Sequence, residues 1–178
     1  KQVLYLLPEI AITSQIIERL RNYFGNQVGI YHSKYSDSER VEVWNNLISG
    51  LSKKSYKIIL GVRSSIFLPF QNLGLVIIDE EQENTYKQND PAPRYHARDS
   101  AIYLASLYNA KTLIGTATPS IESFYNSKIG KYGFVELNER HGNIKLPEIT
   151  LANSRVAWRK RKMVSHFTPE LYEAILET

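Results

Sequence analysis

Short apolar runs alternate with amphipathic stretches along most of this 178-residue chain. Continuous runs of Val, Ile and Leu predict buried strands at 3–7, 28–31, 56–62, 73–78 and 112–114. Apolar residues at helical spacing predict helices between them, over 12–24, 36–51, 95–108 and 119–126. This alternation predicts an α/β fold, a three-layer α/β/α domain with a mainly parallel sheet.

The pattern weakens from about Gly130. Residues 132–137 and 148–151 are predicted as short strands, and a helix over 167–178 opens at Thr168-Pro169. We therefore divide the chain into a main domain (1–130), a connecting segment with a basic run (131–163) and the start of a following region (164–178). Because the chain does not begin with Met and a predicted buried strand begins at residue 3, we expect a piece of a longer protein.

Composition narrows the possible functions. The chain has no cysteine, which excludes disulfides and thiolate metal sites and is typical of a cytosolic protein. It has no signal peptide and no apolar run of the roughly 20 residues needed to span a membrane. A net charge of +4 permits nucleic-acid binding without establishing it. The basic run, which holds five cations between Arg155 and Lys162, is also compatible with a solvated loop or helix face.

Candidate chemistry follows the predicted strands directly. In a parallel sheet, ligands bind at the carboxyl ends of the strands, so these segments should share one edge. Asp79-Glu80 directly follows the strand 73–78. At such a position an Asp can hold Mg²⁺ at nucleotide phosphates, and a neighbouring acid can activate water. A solvent-exposed acidic turn is the alternative interpretation.

Three further segments follow strands. Gly115 to Ser120 offers small hydroxyl side chains that can bind a phosphate-bound metal, although Thr118-Pro119 also suits plain helix capping. Pro8 to Thr13 and Gly61 to Ser65 present backbone amides, and Arg63 adds a cation suited to a phosphate. Capping is again the alternative for both.

Aromatic and cationic residues are interleaved from Tyr86 to Arg98. Such loops stack bases and hold the phosphates of single strands. The alternative is a surface loop that leads into a helix, with Tyr95 packed inward. The chain's histidines lie far apart, with no metal-ligand spacing.

Each of these segments is a weak signal, but their order is specific. In chain order they are Pro8-Glu9-Ile10-Ala11-Ile12-Thr13, Tyr31-His32-Ser33, Gly61-Val62-Arg63-Ser64-Ser65, Asp79-Glu80-Glu81-Gln82, Tyr86-Lys87-Gln88, Arg94-Tyr95-His96-Ala97-Arg98-Asp99 and Gly115-Thr116-Ala117-Thr118-Pro119-Ser120. This set closely resembles the primosomal replication-restart DNA helicases of superfamily 2. The resemblance runs from Lys1 to about Arg155, with a fainter match in 167–178.

The resemblance implies a RecA-like P-loop NTPase lobe that uses ATP and Mg²⁺. Asp79 would bind the Mg²⁺ through ATP, Glu80 would activate water, and Gln82 would complete the catalytic box. The coupling motif that links hydrolysis to strand separation would be Thr116, Ala117 and Thr118. The residues implied in DNA binding are Pro8, Glu9, Thr13, Arg63, Ser64, Tyr86, Lys87, Arg94, Tyr95, His96 and Arg98.

Members of this family unwind DNA 3′ to 5′ at stalled forks and help to reload the replicative helicase. The resemblance therefore implies single-stranded and forked DNA, primosome proteins and single-stranded-DNA-binding protein as partners of the longer protein, with no membrane. It also implies a bacterial cytoplasmic, nucleoid-associated location, and a zinc site outside this chain.

The chain departs from the family pattern. Gln82 stands where the family has His, which puts the coupling of hydrolysis to unwinding in doubt, and Val62 replaces a Thr. Pro91 and Pro93 occupy loop positions where the family has Gly and an aromatic residue. No glycine-rich loop that ends in Gly-Lys-Ser/Thr occurs in the 178 residues, so we expect the isolated chain to bind ATP poorly and not to hydrolyse it. The alternatives are a non-catalytic nucleic-acid-binding scaffold derived from a helicase lobe and a metabolic nucleotide-binding enzyme such as a kinase.

Overall fold

Five parallel strands form a single sheet in the order β2-β3-β1-β4-β5. The computed structural model describes residues 1–48, 56–139, 142, 147 and 149–177. The strands are β1 (Gln2–Leu6), β2 (Val28–Tyr31), β3 (Ile58–Gly61), β4 (Leu73–Ile78) and β5 (Lys111–Ile114). The predicted parallel sheet is confirmed, and its β-branched and leucine-rich strands pack as buried strands of such sheets do.

The described chain divides into two compact units, Lys1–Gly133 and Phe134–Thr178. The first contains the sheet and the helices α1 (Ser14–Phe24), α2 (Asp37–Ile48), α3 (Ala97–Leu107) and α4 (Ile121–Lys128). The second contains α5 (Ser154–Arg159) and α6 (Pro169–Leu176). None of the described helices has the length and apolar character needed to cross a bilayer.

Local sequence signals fix several helix ends. A capping box begins α2, since the Ser36 amide donates to Glu39 Oε2 at 2.9 Å and the Glu39 amide donates to Ser36 Oγ at 3.4 Å. Gly25 ends α1 with φ 57°, a left-handed conformation that favours glycine. Thr168 caps α6 ahead of Pro169, as predicted.

Other boundaries differ from prediction. Helix α4 begins at Ile121 rather than Pro119, because the Ser120 hydroxyl accepts from the Ser123 amide and so acts as the cap. Residues 132–137 were predicted as a strand, and this is wrong: they form no ladder and lie largely exposed. Among the described residues, no strand pairs with their backbone amides and carbonyls. Of the strand predicted over 148–151, residues 149–151 form no strand, and Glu148 lies outside the described residues. Leu51, the last residue of the helix predicted over 36–51, also lies outside the described residues.

The core lies where α3 crosses the sheet. Ala97, Ala101 and Ala105 recur every four residues on α3, and all three are buried. Their small side chains let the helix pack closely on the sheet, against buried residues such as Val76 and Ile78. Burial of each large aliphatic side chain contributes about 1.5–3 kcal/mol.

The register brings the carboxyl ends of the strands to one edge. Leu6 of β1 lies beside Gly61 of β3 and Ile78 of β4, and Ile78 lies beside Ile114 of β5. The segments that begin at Leu7, Val62, Asp79 and Gly115 therefore leave the sheet side by side, as predicted from the strand pattern.

Candidate functional site

The acidic pair that follows β4 is held by its neighbours. Asp79 Oδ1 accepts from the Glu80 amide at 3.0 Å, and Oδ2 accepts from the Tyr5 hydroxyl of β1 at 3.1 Å. Burial, followed by the Asp79 charge, raises the pKa of Tyr5 to about 12, so this hydroxyl stays protonated and continues to donate. The Asp79 carboxylate is thus oriented while half-buried at the edge of the sheet.

Glu80 has an exposed side chain and a backbone φ of 48°. A non-glycine residue in this left-handed region costs about 1–3 kcal/mol and persists only where the surrounding structure holds it, and such strain often lies at functional sites. The carboxylate of Glu80 accepts a hydrogen bond from Gln82 Nε2 at 2.8 Å.

Gln82 connects the acidic pair to the segment after β5. Its Oε1 accepts from the Thr116 hydroxyl at 2.5 Å, and the Thr116 oxygen in turn accepts from the Thr118 amide at 3.1 Å. A continuous chain of hydrogen bonds therefore joins Glu80 to Thr118. The Gln that replaces the expected His still bridges the two segments.

Glu81 is a site residue that sequence reasoning missed. It is fully buried, and four groups donate to its carboxylate: Arg98 Nη1 at 2.7 Å, the Ser120 amide at 2.6 Å, and the hydroxyls of Ser120 and Ser123 at 3.0 Å each. Burial acts to raise its pKa, but the hydrogen bonds together outweigh burial and hold the pKa of Glu81 below its usual value. We call Glu81, Arg98, Ser120 and Ser123 the buried acid cluster.

Acidification is expected to destabilise the chain partly through Glu81. Its pKa is about 4.5 when unfolded and lower when folded, so its stabilising contribution is complete above pH 4.5 and is lost as the pH falls through the folded pKa. Unfolding free energies of the native chain and of Glu81→Gln, measured by urea denaturation at several pH values below 4.5, should show a shallower pH slope for the variant. Equal slopes would contradict this assignment.

Two side chains that were predicted to contact DNA are buried in the structure. Tyr86 is 1 % exposed and packs in the core, and its hydroxyl donates to the Asp79 carbonyl oxygen at 2.6 Å. Arg98 is 8 % exposed, and its guanidinium binds Glu81 and Asp99. Neither side chain presents a free face to a base or a phosphate. In sequence both looked like members of an exposed loop, because burial on α3 and beneath β4 is a tertiary property.

The loop 84–96 lies against the segment that follows β3. Arg63 Nη1 donates to the carbonyl oxygens of Thr85 and Lys87 at 3.2 and 3.1 Å, and the rings of Phe67 and Tyr95 meet edge to face at 5.0 Å. Lys87 and His96 form an antiparallel bridge. Arg63 therefore holds this loop in place, which sequence reasoning did not foresee.

The remaining predicted DNA contacts differ in exposure. Pro8 is buried, and Tyr95 and His96 are half-buried. Within the described ranges, the imidazole Nδ1 of His96 is buried without a hydrogen-bond partner, and burial lowers the pKa of this ring, so it stays neutral at pH 7. The side chains that remain exposed are Glu9, Thr13, Ser64, Lys87 and Arg94.

The donor set suits Mg²⁺ bound through a nucleotide. Mg²⁺ commonly uses one or two carboxylates together with substrate phosphates and water, so the oriented Asp79 carboxylate fits this role. No cluster of three or more His, Cys, Asp or Glu side chains that could hold a metal by itself occurs among the described residues.

Known proteins from several bacteria are similar to this chain over most of its length. The Replication restart protein PriA of Bacillus subtilis is 38% identical over 178 residues, which cover 100% of this chain and 21% of that protein. The proteins of the same name from Chlamydia trachomatis and Haemophilus influenzae are 38% and 46% identical, over 98% and 80% of this chain and 23% and 19% of their own lengths. The chain thus spans about a fifth to a quarter of these relatives.

These similarities confirm the resemblance to replication-restart helicases. A family-level match covers residues 1–126, which include the whole sheet, the acidic pair and the segment after β5. The family is described as DEAD/DEAH box helicase. This chain therefore belongs to the DEAD/DEAH box helicase family.

Proposed function

We propose that the chain is part of the first motor lobe of an ATP-dependent 3′–5′ DNA helicase that acts in replication restart at stalled forks. The observation that carries the proposal is the chain of hydrogen bonds from Glu80 through Gln82 to Thr116, which joins the strand-end acids to the segment after β5. Such a connection suits a motor in which nucleotide chemistry at one segment is transmitted to another.

The proposed roles follow from the geometry. Asp79, oriented by Tyr5 and by the Glu80 amide, would hold the Mg²⁺ of the nucleotide. The bound Mg²⁺ would neutralise charge on the phosphates. Glu80, exposed on its strained turn, orients and deprotonates the attacking water. The hydrogen bonds from Glu80 to Gln82 and from Gln82 to Thr116 then couple a change at Glu80 to the segment 116–118.

DNA would contact the same edge of the sheet. The exposed side chains of Thr13, Ser64, Lys87 and Arg94 can bind phosphates, beside Glu9. The half-buried Tyr95 and His96 line the base of the loop that Arg63 holds. Single-stranded and forked DNA are the proposed substrates of the longer protein, with primosome proteins and single-stranded-DNA-binding protein as partners.

The isolated chain is proposed to be inactive. Its 178 residues include no Gly-Lys-Ser/Thr loop to cradle the phosphates of ATP. The longer protein would supply this loop and a zinc site, and would work in the bacterial cytoplasm at the nucleoid. Within the chain, we propose a lobe over 1–130, a connecting segment over 131–163 and the start of the next region from 164.

A non-catalytic nucleic-acid-binding scaffold is the second candidate. Gln82 in place of His favours it, together with the absence of a phosphate-binding loop from these residues. The two candidates share DNA binding and differ in ATP turnover.

The test is ATP turnover by the longer protein, measured with and without forked DNA. Turnover that forked DNA stimulates is expected for the helicase, because binding at the loop 84–96 would act on Asp79 through Tyr86. A folded protein whose turnover no DNA stimulates would overturn the motor function and favour the scaffold. Turnover stimulated only by a small metabolite would instead point to a metabolic enzyme.

A further inference from the structure

The second unit has a basic turn that the proposed function does not use. We define the basic turn as α5 and the residues that follow it, 154–165. Its start is fixed by Asn153 Oδ1, which accepts from the Val156 amide at 3.0 Å. Its end is fixed by the Arg161 and Lys162 amides, which donate to the Trp158 and Ala157 carbonyl oxygens at 3.0 Å each. Hydrogen bonds at both ends thus define the backbone of this short element.

The basic turn concentrates positive charge. It carries Arg155, Arg159, Lys160, Arg161 and Lys162, all exposed, while the sequence from Ile149 to Pro169 contains no Asp or Glu. Across the part of the chain that the structure describes, none of the five has a carboxylate within ion-pair distance. Like charges this close repel one another, so the arrangement favours an anionic partner.

Helix stabilisation explains only part of this charge. Cations in the last turn of a helix are favourable, which accounts for Arg159 and Lys160 at the end of α5. Arg155 lies in the first turn of α5, where the helix dipole disfavours a positive charge. Arg161 and Lys162 lie beyond the helix. A fold that placed cations for helix stability alone would leave these three positions neutral.

Trp158 is exposed in the middle of the basic turn. Trp158 is 72 % accessible to solvent, although burial of a Trp side chain would contribute strongly to the stability of the fold. The side chain borders a shallow hollow of about 540 Å³, which Arg159, Arg161, Met163 and Ser165 also line. An exposed indole flanked by two guanidinium groups matches the surfaces on which single-stranded bases stack.

We propose that the basic turn binds single-stranded nucleic acid, with a base stacked on Trp158 and backbone phosphates on Arg159 and Arg161. This inference rests on the proposed function for its ligand class, and it adds a contact surface outside the sheet edge. A duplex would satisfy the cations but would keep its base faces stacked internally. The exposed indole therefore selects the single strand.

Fluorescence of Trp158 tests the contact directly. The chain has two Trp residues, so Trp44→Phe leaves Trp158 as the single reporter. Titration of this variant with an oligothymidylate should quench its fluorescence, with a midpoint that rises with salt concentration as phosphate contacts require. A duplex of equal length should quench it less.

Affinity measurements separate stacking from charge. By anisotropy of a labelled oligothymidylate, Trp158→Ala should weaken binding about 5- to 150-fold, and Trp158→Phe should restore part of the loss. Arg159→Ala/Arg161→Ala should weaken binding and reduce the salt slope by about 1.4. The matched control, Arg19→Ala/Arg21→Ala on exposed positions of α1, removes the same charge and should leave affinity and slope nearly unchanged.

The outcomes distinguish this contact from the proposed function. If the oligonucleotide binds but Trp158 is silent and Trp158→Ala binds normally, the basic turn is not the contact and the helicase function stands. If both double variants lose affinity equally, the effect is net charge alone and the contact is overturned. A duplex that binds and quenches as well as the single strand overturns stacking. If the folded chain binds no oligonucleotide at all, both the basic turn and the proposed DNA contacts at the sheet edge fail.

Discussion

Replacement of Arg98 by methionine is expected to lower the free energy of unfolding by about 3–5 kcal/mol. Arg98 Nη1 lies 2.7 Å from Glu81 Oε2, with the Glu81 side chain fully buried and that of Arg98 only 10% accessible. Removal of the cation leaves a buried carboxylate that retains three neutral donors but no counter-charge. Since domains are stable by about 5–15 kcal/mol in total, this loss is a large fraction of the whole.

Urea denaturation of the native chain and the variant measures this effect. Arg40→Met is the matched control, because the ion pair between Arg40 and Asp37 is exposed and should contribute less than about 1 kcal/mol. The double variant Glu81→Gln/Arg98→Met should recover part of the stability, since it leaves no unpaired buried charge. A loss at Arg98 no larger than that at Arg40 would show that the buried acid cluster does not act as an ion pair.

Glu80→Gln in the longer protein is expected to reduce DNA-stimulated ATP turnover by about 10²- to 10⁴-fold, the usual contribution of a general base. Gln has the shape of Glu, and its amide oxygen can still accept from Gln82 Nε2, which now lies 2.8 Å from Glu80 Oε2. Because Glu80 is exposed, the substitution should change the stability of the fold only slightly. Nucleotide and DNA affinities should therefore persist while turnover is lost.

Steady-state turnover, nucleotide affinity and DNA affinity are the three measurements required. Glu122→Gln, which neutralises an exposed acid on α4, is the control and should keep turnover within about twofold. Retained turnover in Glu80→Gln would remove Glu80 from the catalytic role. Loss of nucleotide affinity together with turnover would instead assign Glu80 to binding.

Local patterns were sufficient to predict much of the fold. Continuous apolar runs identified the strands, and the helical patterns between them predicted parallel connections. The parallel sheet, and the edge at which its strands end, followed from these two patterns. The capping of α2 by Ser36 and Glu39 likewise depends only on residues that are close together in the sequence. The positions of Asp79 and Thr116 at strand ends needed only strand boundaries, because parallel strands expose their carboxyl ends together.

The tertiary structure decided which polar and aromatic side chains are free. Tyr86 and Arg98 belong to a run that looks like an exposed binding loop, yet one packs beneath β4 and the other pairs with Glu81 on the inner face of α3. Glu81 was one acid among several in sequence, and its partners Ser120 and Ser123 lie about forty residues away along the chain.

The predicted strand over 132–137 failed for a related reason, because a strand exists only where a neighbouring strand can pair with it. The sequence by itself therefore determined the order of strands and helices along the chain, the sheet edge where the candidate site residues meet, and the family. All three depend on short-range periodicity and adjacent residues. Only the tertiary structure decided which of the candidate side chains face solvent, since burial and long-range hydrogen bonding depend on segments that meet only after the chain has folded.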